Sequence, residues 1–261
     1  MSTAFERLMS TTKDATNREK KRAQNSRFRA VKRMENDYLR SLNQLVKQID
    51  SIVKGLSPRG VPKPTEIQRM LTQYSQLISP WAKELANKML DEVNAKNLLA
   101  WNTLGNDVGR SLRKELEFEN TGQTFNRLLN EQVTLITSLP LEAAQRVHKL
   151  TSEAMITSAR PAEVAKEILK TGEVTKSRAT LIARTEVART SSILTQARAD
   201  DLGLTHYIWR TSEDGDVRHS HKEMDGKIIA WAVPPTLSDG TVTHAGQIFN
   251  CRCFPIPIIP D

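Results

Sequence analysis

The chain has 261 residues, a formal net charge of +8, 38% hydrophobic residues and 5% aromatic residues. This length allows one large domain or two small ones with a buried core, and the low aromatic content disfavours a β-sandwich throughout. The two cysteines are separated by one residue, which excludes a disulfide framework and favours a reducing, intracellular compartment. No apolar run approaches the roughly 20 residues of a membrane-spanning helix, so we expect no membrane partner.

The positive charge is concentrated at the N-terminal end. Residues 1–50 carry 12 Lys and Arg against 6 Asp and Glu, a net +6, which leaves +2 of the total +8 for the other 211 residues. The cluster consists of Arg18, Lys20, Lys21, Arg22, Arg27, Arg29, Lys32 and Arg33. Such a cluster can neutralise DNA phosphates without reading bases, so we predict binding of double-stranded DNA without sequence preference. The alternatives are a solvated helix face and contact with an acidic partner surface, such as a portal subunit.

Long runs without glycine or proline dominate the first 202 residues. The runs 1–54, 81–104 and 173–202 are rich in helix-forming residues and predict helices. Apolar residues from Phe28 to Ile52 recur at alternating spacings of three and four, which favours a bundle helix facing a core over a coiled coil. Gly55 and the proline-rich residues that follow are expected to end this helix.

Turn and cap residues divide the rest of this region. We place helix starts near Thr65 and Trp81, a break at Thr121-Gly122, first-turn prolines at Pro140 and Pro161, a helix end at Gly172 and a helix cap at Thr175. The last of these helices is expected to continue to about residue 200. No internal repeat is evident, which disfavours a solenoid.

The composition changes after residue 202. Five of the 11 glycines and five of the 11 prolines follow it, and strands are predicted over 206–211 and 227–231, with a short helix over 217–224 between them. The fold class is therefore mainly α, with a long helical N-terminal region followed by a small α+β C-terminal module. We divide the chain into residues 1–125, 126–202 and 203–261.

Four sequence blocks, in order, resemble a known family. They are residues 178–186, 203–209, 217–227 with its His219-Ser220-His221 and Asp225-Gly226-Lys227 segments, and Asn250-Cys251-Arg252-Cys253. Together they resemble the phage Mu F-like minor head protein family, which includes head morphogenesis proteins of tailed phages. The resemblance covers about a third of the chain.

The resemblance implies a minor capsid protein without known catalysis. Proteins of this family are associated with the portal vertex and act in head assembly and in DNA packaging or ejection. The implied partners are the portal protein and other head or scaffolding proteins. The implied location is the virion, in the head interior or at the portal vertex, with the host cytoplasm as the site of assembly.

Three histidines and both cysteines fall within 35 residues of the C-terminal module. They are His219, His221, His244, Cys251 and Cys253. Neutral imidazole and thiolate are zinc ligands, and a module with few apolar residues could use a metal to support its core. The spacings match no standard zinc signature, so small buried cysteines and polar surface histidines remain the alternative.

Charged residues near the predicted junction are candidates for structural ion pairs. Arg184 and Glu186 are two apart on a helix and cannot pair well with each other, so each should reach a different neighbour. We expect Glu186 to be at least partly buried against the C-terminal module, with a basic partner. Arg218 and Arg252 are the candidate partners for Glu186 or Asp216.

Two other function classes remain open. A metal-dependent nuclease or other DNA-processing enzyme would combine His219 and His221 with Asp225 and the cysteines, and would need a general base near a metal-held phosphate. The order of these residues matches no catalytic motif, and we expect no enzyme activity. A host-side DNA-binding protein is the third possibility.

Overall fold

The computed structural model describes residues 28–107, 119–157, 159–213 and 215–259. The helices are α1 Lys32–Gly55, α2 Pro64–Leu77, α3 Ser79–Asp107, α4 Glu119–Thr157, α5 Pro161–Leu169 and α6 Thr171–Asp201, with one 3₁₀ turn at Pro58–Gly60. The C-terminal part contains β1 His206–Arg210, α7 His219–Lys222, β2 Ile228–Ala230 and β3 Phe254–Pro257. The predicted fold class, mainly α with a small α+β C-terminal module, is confirmed. Within the described ranges, no helix combines the length and apolar character that crossing a membrane requires.

Helix α1 buries part of the apolar stripe predicted from Phe28 to Ile52, but the helix begins at Lys32, so Phe28 lies before it. Leu42, Leu45, Ile49 and Val53 are almost completely buried in the core formed by the helices. Fully burying one such side chain contributes roughly 1.5–3 kcal/mol, so the stripe accounts for much of the attachment of α1 to the bundle. The helix ends at Gly55, as predicted.

Helix α4 passes through the predicted break at Thr121-Gly122 and the predicted start at Pro140. Both predictions are wrong. An interior proline removes one intrahelical hydrogen bond and costs about 3 kcal/mol. Ile136 and Leu139 lie beside Pro140 and are completely buried in the bundle core. Packing of these side chains therefore offsets the cost and keeps the helix continuous.

The start of α6 differs from its sequence prediction. Gly172 was expected to end the preceding helix and Thr175 to cap the next, but α6 already begins at Thr171. Thr175 donates its hydroxyl to the carbonyl of Thr171 within the helix, at 2.8 Å. A side chain at Gly172 would clash with Asp50 of α1, so close helix packing, rather than chain termination, accounts for this glycine. Pro161 occupies the first turn of α5, as predicted.

The three strands form an antiparallel sheet in the order β2-β1-β3. Tyr207 and Trp209 on the central strand are completely buried, which follows from the two-residue period of a strand. Strand β3 was not predicted because it contains Pro255 and Pro257, which disfavour a strand in the sequence pattern. The structure tolerates these prolines because β3 lies at the edge of the sheet.

The sheet shares a core with the earlier part of the chain. Phe28 and Trp101 pack edge to face, with ring centroids 5.5 Å apart, in the same apolar cluster as Trp209 and both cysteines. The C-terminal module therefore packs against residues from α3 and from the segment preceding α1. The proposed division at residues 125 and 202 stays a prediction.

Candidate metal centre

Three of the five predicted metal ligands come together in one buried cluster. His221 lies on α7, and Cys251 and Cys253 lie in the segment that leads into β3. His221 Nδ1 is 3.4 Å from Sγ of Cys251 and 3.4 Å from Sγ of Cys253. All three residues are buried, with ligand atoms close enough to hold a metal ion.

These distances suit a tetrahedral metal. Zinc bonds of about 2.3 Å to sulfur and 2.05 Å to nitrogen place neighbouring nitrogen and sulfur ligands about 3.6 Å apart. The observed 3.4 Å separations therefore require only a small adjustment around one ion. Two thiolates and an imidazole form a soft donor set, which disfavours magnesium or calcium.

The cysteines share a strong electrostatic coupling. A hydrogen bond from Cys253, aided by one from His221, outweighs burial and lowers the pKa of Cys251. The hydrogen bond to Cys251 and burial both raise the pKa of Cys253. Cys251 therefore loses its proton more readily than Cys253, and a bound metal ion would require both thiols to be deprotonated.

Neighbouring residues hold the cluster in place. The ring of Trp209 packs edge to face against His221, with centroids 5.6 Å apart. Gly246 has a φ of +80°, and a Cβ there would lie 2.7 Å from the carbonyl oxygen of Cys253. Asp225 instead accepts hydrogen bonds from the backbone amide and hydroxyl of Thr211 at 2.8 and 3.2 Å and pairs with Arg210 at 3.4 Å.

His219 and His244 lie apart from this cluster. His219 is exposed and pairs with Glu223 at 3.1 Å. Residues two positions apart on a helix are rotated by about 200° from each other around the helix axis. His219 and His221 therefore face different ways. His244 is buried with Nδ1 3.2 Å from the hydroxyl of Tyr207, and burial lowers its pKa. Sequence spacing identified the five candidate metal ligands but could not show which three of them lie together in the cluster.

A cavity of about 280 Å³ adjoins the cluster. Arg184, Arg218 and Arg252 line it together with His221 and the cysteines. Arg184 pairs with Asp216 at 3.4 Å, so this arginine reaches the C-terminal module. Arg218 donates to the carbonyl of Phe249 at 2.9 Å, rather than to Glu186 or Asp216.

Glu186 is buried, but its hydrogen-bond partners lie in the bundle rather than in the C-terminal module, and its basic partner differs from the prediction. It accepts hydrogen bonds from Gln132 of α4 at 2.6 Å and from Arg189, one turn further along α6, at 3.2 Å. Arg218 and Arg252 were expected instead. Tyr38 of α1 donates to Gln132 at 3.1 Å, so the network joins three helices of the bundle. Burial lowers the pKa of Arg189, but Glu186 and Glu131 outweigh this effect and raise it overall.

Most of the predicted DNA-binding cluster lies outside the described residues. This applies to Arg18, Lys20, Lys21, Arg22 and Arg27. Lys32 and Arg33 are exposed in the first turn of α1, and Arg33 pairs with Asp37 at 3.6 Å. The backbone carbonyl of Arg29 accepts a hydrogen bond from Lys96 of α3. Burial and the charge of Arg29 lower the pKa of Lys96 to about 8.

The fold and site together describe a helical bundle closed by a three-stranded module with a His/Cys/Cys cluster. Residues 145–256, which run from late α4 into β3, match the family described as Phage Mu protein F like protein. This region of the chain is therefore Mu F-like, which confirms the resemblance seen in the sequence. The match covers 112 of the 261 residues and relates this region to phage head morphogenesis proteins.

Two curated proteins are similar to this chain. An uncharacterized protein of Haemophilus influenzae is 31% identical over 237 residues, covering 88% of this chain and 51% of the relative. The NAD(+)–arginine ADP-ribosyltransferase EFV of Enterococcus faecalis is 30% identical over 128 residues, covering 45% of this chain and 26% of the relative. The chain thus spans about half and about a quarter of their lengths. No solved structure matches it significantly.

Proposed function

We propose that this chain is a minor head protein that acts at the portal vertex, without catalysis, in head assembly and in DNA packaging or ejection. The Mu F-like match over residues 145–256 carries the proposal. The portal protein and other head or scaffolding proteins would be its partners, and the head interior or portal vertex its location.

Helix α6 supports a binding role because it connects the bundle to the C-terminal module. Thr185 accepts a hydrogen bond from the backbone of Asn250 at 3.2 Å, and Ser192 donates to the carbonyl of Ala245 at 2.5 Å. Arg184 and Glu186, on either side of Thr185, contact the module and the bundle respectively. Thr185, Ser192 and Arg184 therefore hold the C-terminal module against the bundle, whereas Glu186 acts within the bundle.

The metal in this proposal is a structural zinc ion bound by His221, Cys251 and Cys253. Zinc would link α7 to the segment before β3, two parts of the chain separated by 30 residues. A structural metal contributes directly to folding free energy, because the unfolded chain lacks a preformed site. The role of zinc here is therefore to stabilise the small sheet module.

Double-stranded DNA is the second proposed partner, bound through the N-terminal basic cluster. If six phosphates are neutralised, log K should fall with log salt at a slope of about −5, and a slope near −3 remains compatible with partial contact. Removal of residues 1–27 should flatten this slope and weaken all DNA sequences equally. The deletion stops before Phe28 because Phe28 packs on Trp101 in the core. Filter binding between ~50 and ~200 mM salt measures the effect.

The same deletion separates DNA binding from portal binding. The full chain should co-sediment with purified portal protein and, independently, with duplex DNA. Replacing the exposed Lys83 and Lys88 of α3 by glutamine provides a control that removes two positive charges elsewhere on the surface and should leave DNA binding unchanged. If removal of residues 1–27 abolishes portal association and leaves the DNA salt slope intact, the basic cluster serves a protein partner. Absence of portal association in the full chain would contradict the portal role.

A metal-dependent nuclease is the alternative favoured by one observation. Three protein ligands beside a cavity leave a coordination position open, as catalytic zinc sites do. Among the described residues that line this cavity, Asp216 is the carboxylate, and it is paired with Arg184. A general base is therefore poorly provided, and we expect no plasmid nicking with Zn²⁺, Mg²⁺ or Mn²⁺. Nicking that a chelator abolishes and that is lost in Cys251→Ser would establish the enzyme instead.

A further inference from the structure

An open groove that shares no lining residue with the metal cluster lies between α1, α5 and the end of α4. It is a groove of about 1570 Å³, called here the α1–α5 groove. Its floor includes Val46, Leu39, Val164, Ile168 and Leu169. Val61 and Met155 also line the groove and are 66% and 80% exposed. Exposed apolar side chains around a groove are typical of a protein-binding surface.

The rim of this groove is basic. Six cationic residues line it, against the two acidic residues Asp50 and Glu173. The cationic residues are Arg40, Lys47, Lys54, Lys166, Lys170 and Lys176. Within the described part of the chain, Arg40 pairs with Asp37, Lys54 with Asp50 and Lys170 with Glu167. Lys47, Lys166 and Lys176 have no ion-pair partner among the described residues. An incoming chain would therefore meet an apolar floor bordered by uncompensated positive charge.

We propose that the α1–α5 groove binds an acidic amphipathic helix of another protein. Such a helix presents apolar residues on one face to the floor and carboxylates on its flanks to the lysines. The N-terminal 27 residues of this chain have the wrong charge for this role, since they carry seven Lys and Arg against three Asp and Glu. The α1–α5 groove shares no lining residue with the metal cluster or with the DNA-binding cluster.

A model peptide tests this proposal directly. The probe is a fluorescent peptide of about four helical turns with leucine on one face and glutamate elsewhere, and the matched probe replaces each glutamate by lysine. Fluorescence anisotropy with the full chain should show binding of the glutamate peptide, weakened by salt, and little binding of the lysine peptide. Equal binding of both peptides would remove the charge argument and overturn the proposal.

Variants locate the binding surface. Combined Lys47→Glu, Lys166→Glu and Lys176→Glu should weaken the glutamate peptide about tenfold or more, because attraction becomes repulsion. Met155→Asp, at an exposed position, tests the apolar contact and should also weaken it. Lys83→Glu with Lys88→Glu, exposed on α3 and outside the groove, should leave the affinity unchanged. Circular dichroism verifies that each variant is folded.

Two outcomes would assign a different occupant and overturn the proposal. If the full chain self-associates in sedimentation velocity and the triple lysine variant is monomeric, the groove holds a second copy. If the glutamate peptide binds only after residues 1–27 are removed, the groove holds the chain's own N-terminal segment. The proposal of an acidic helix is supported if the full chain binds the glutamate peptide, the triple lysine variant does not, and the α3 control variant still does.

Discussion

Replacing Glu186 by alanine is expected to lower the free energy of unfolding by about 3 kcal/mol, the lower part of the range for breaking a buried ion pair. Glu186 is 6% exposed, and its loss leaves the Gln132 amide without its acceptor inside the bundle. Arg189 keeps a second carboxylate, Glu131 at 2.8 Å, which limits the cost. Urea denaturation measures this change as a shift in the urea concentration at which half of the protein is unfolded, provided that the dependence of the unfolding free energy on urea concentration is the same in both proteins.

Two further substitutions isolate the cause of this loss. Glu186→Gln keeps an acceptor for Gln132 while removing the charge that faces Arg189, so its effect should be smaller than that of alanine. Glu84→Ala, at an exposed position of α3, should change stability by no more than about 0.5 kcal/mol. A midpoint for Glu186→Ala equal to that of the unchanged protein would show that the network contributes nothing to stability.

Removal of zinc is the second change for which we expect a large effect. The purified chain should contain close to one zinc ion per chain by elemental analysis. Replacing both Cys251 and Cys253 by serine should remove the metal and lower the melting temperature. A metal ion that binds the folded state and not the unfolded state stabilises the folded state. A chelator should lower the melting temperature of the unchanged chain in the same direction.

One histidine outside the cluster, His219, and the histidine within it, His221, provide a matched comparison. His219→Gln should retain zinc and stability, because His219 is exposed and paired with Glu223. His221→Ala should lose zinc in the same way as the cysteine variant. Metal-free protein with unchanged thermal stability would remove the structural role of zinc. Loss of zinc in His219→Gln would show that the ligand set differs from the one proposed.

Helices, strands and turns were predicted best where local chemistry acts alone. Pro161 begins α5, Gly55 ends α1, and the first two strands lie where alternating or continuous apolar residues placed them. The errors occur where distant contacts override a local preference. Pro140 is kept inside α4 by its buried neighbours, and Gly172 allows α6 to approach Asp50 of α1.

The candidate site shows the same division. The short sequence interval containing three histidines and two cysteines indicated a metal centre, since these side chains are the ligands that zinc prefers. Which histidine joins the cysteines depends on how α7 is rotated and where the segment before β3 returns to it. Those positions follow from packing against Trp209 and Gly246, which no spacing rule contains.

The sequence by itself determined the fold class, the main helices, the composition of the C-terminal module and the family resemblance of its four blocks. These properties depend on residue type, on periods of two and 3.6, and on order along the chain. Only the tertiary structure decided that Glu186 binds Arg189 and Gln132, that His221 is the histidine beside the cysteines, and that a basic groove opens between α1 and α5. The physical reason is that pairing between distant segments depends on the orientation of whole helices, which packing of the complete core sets.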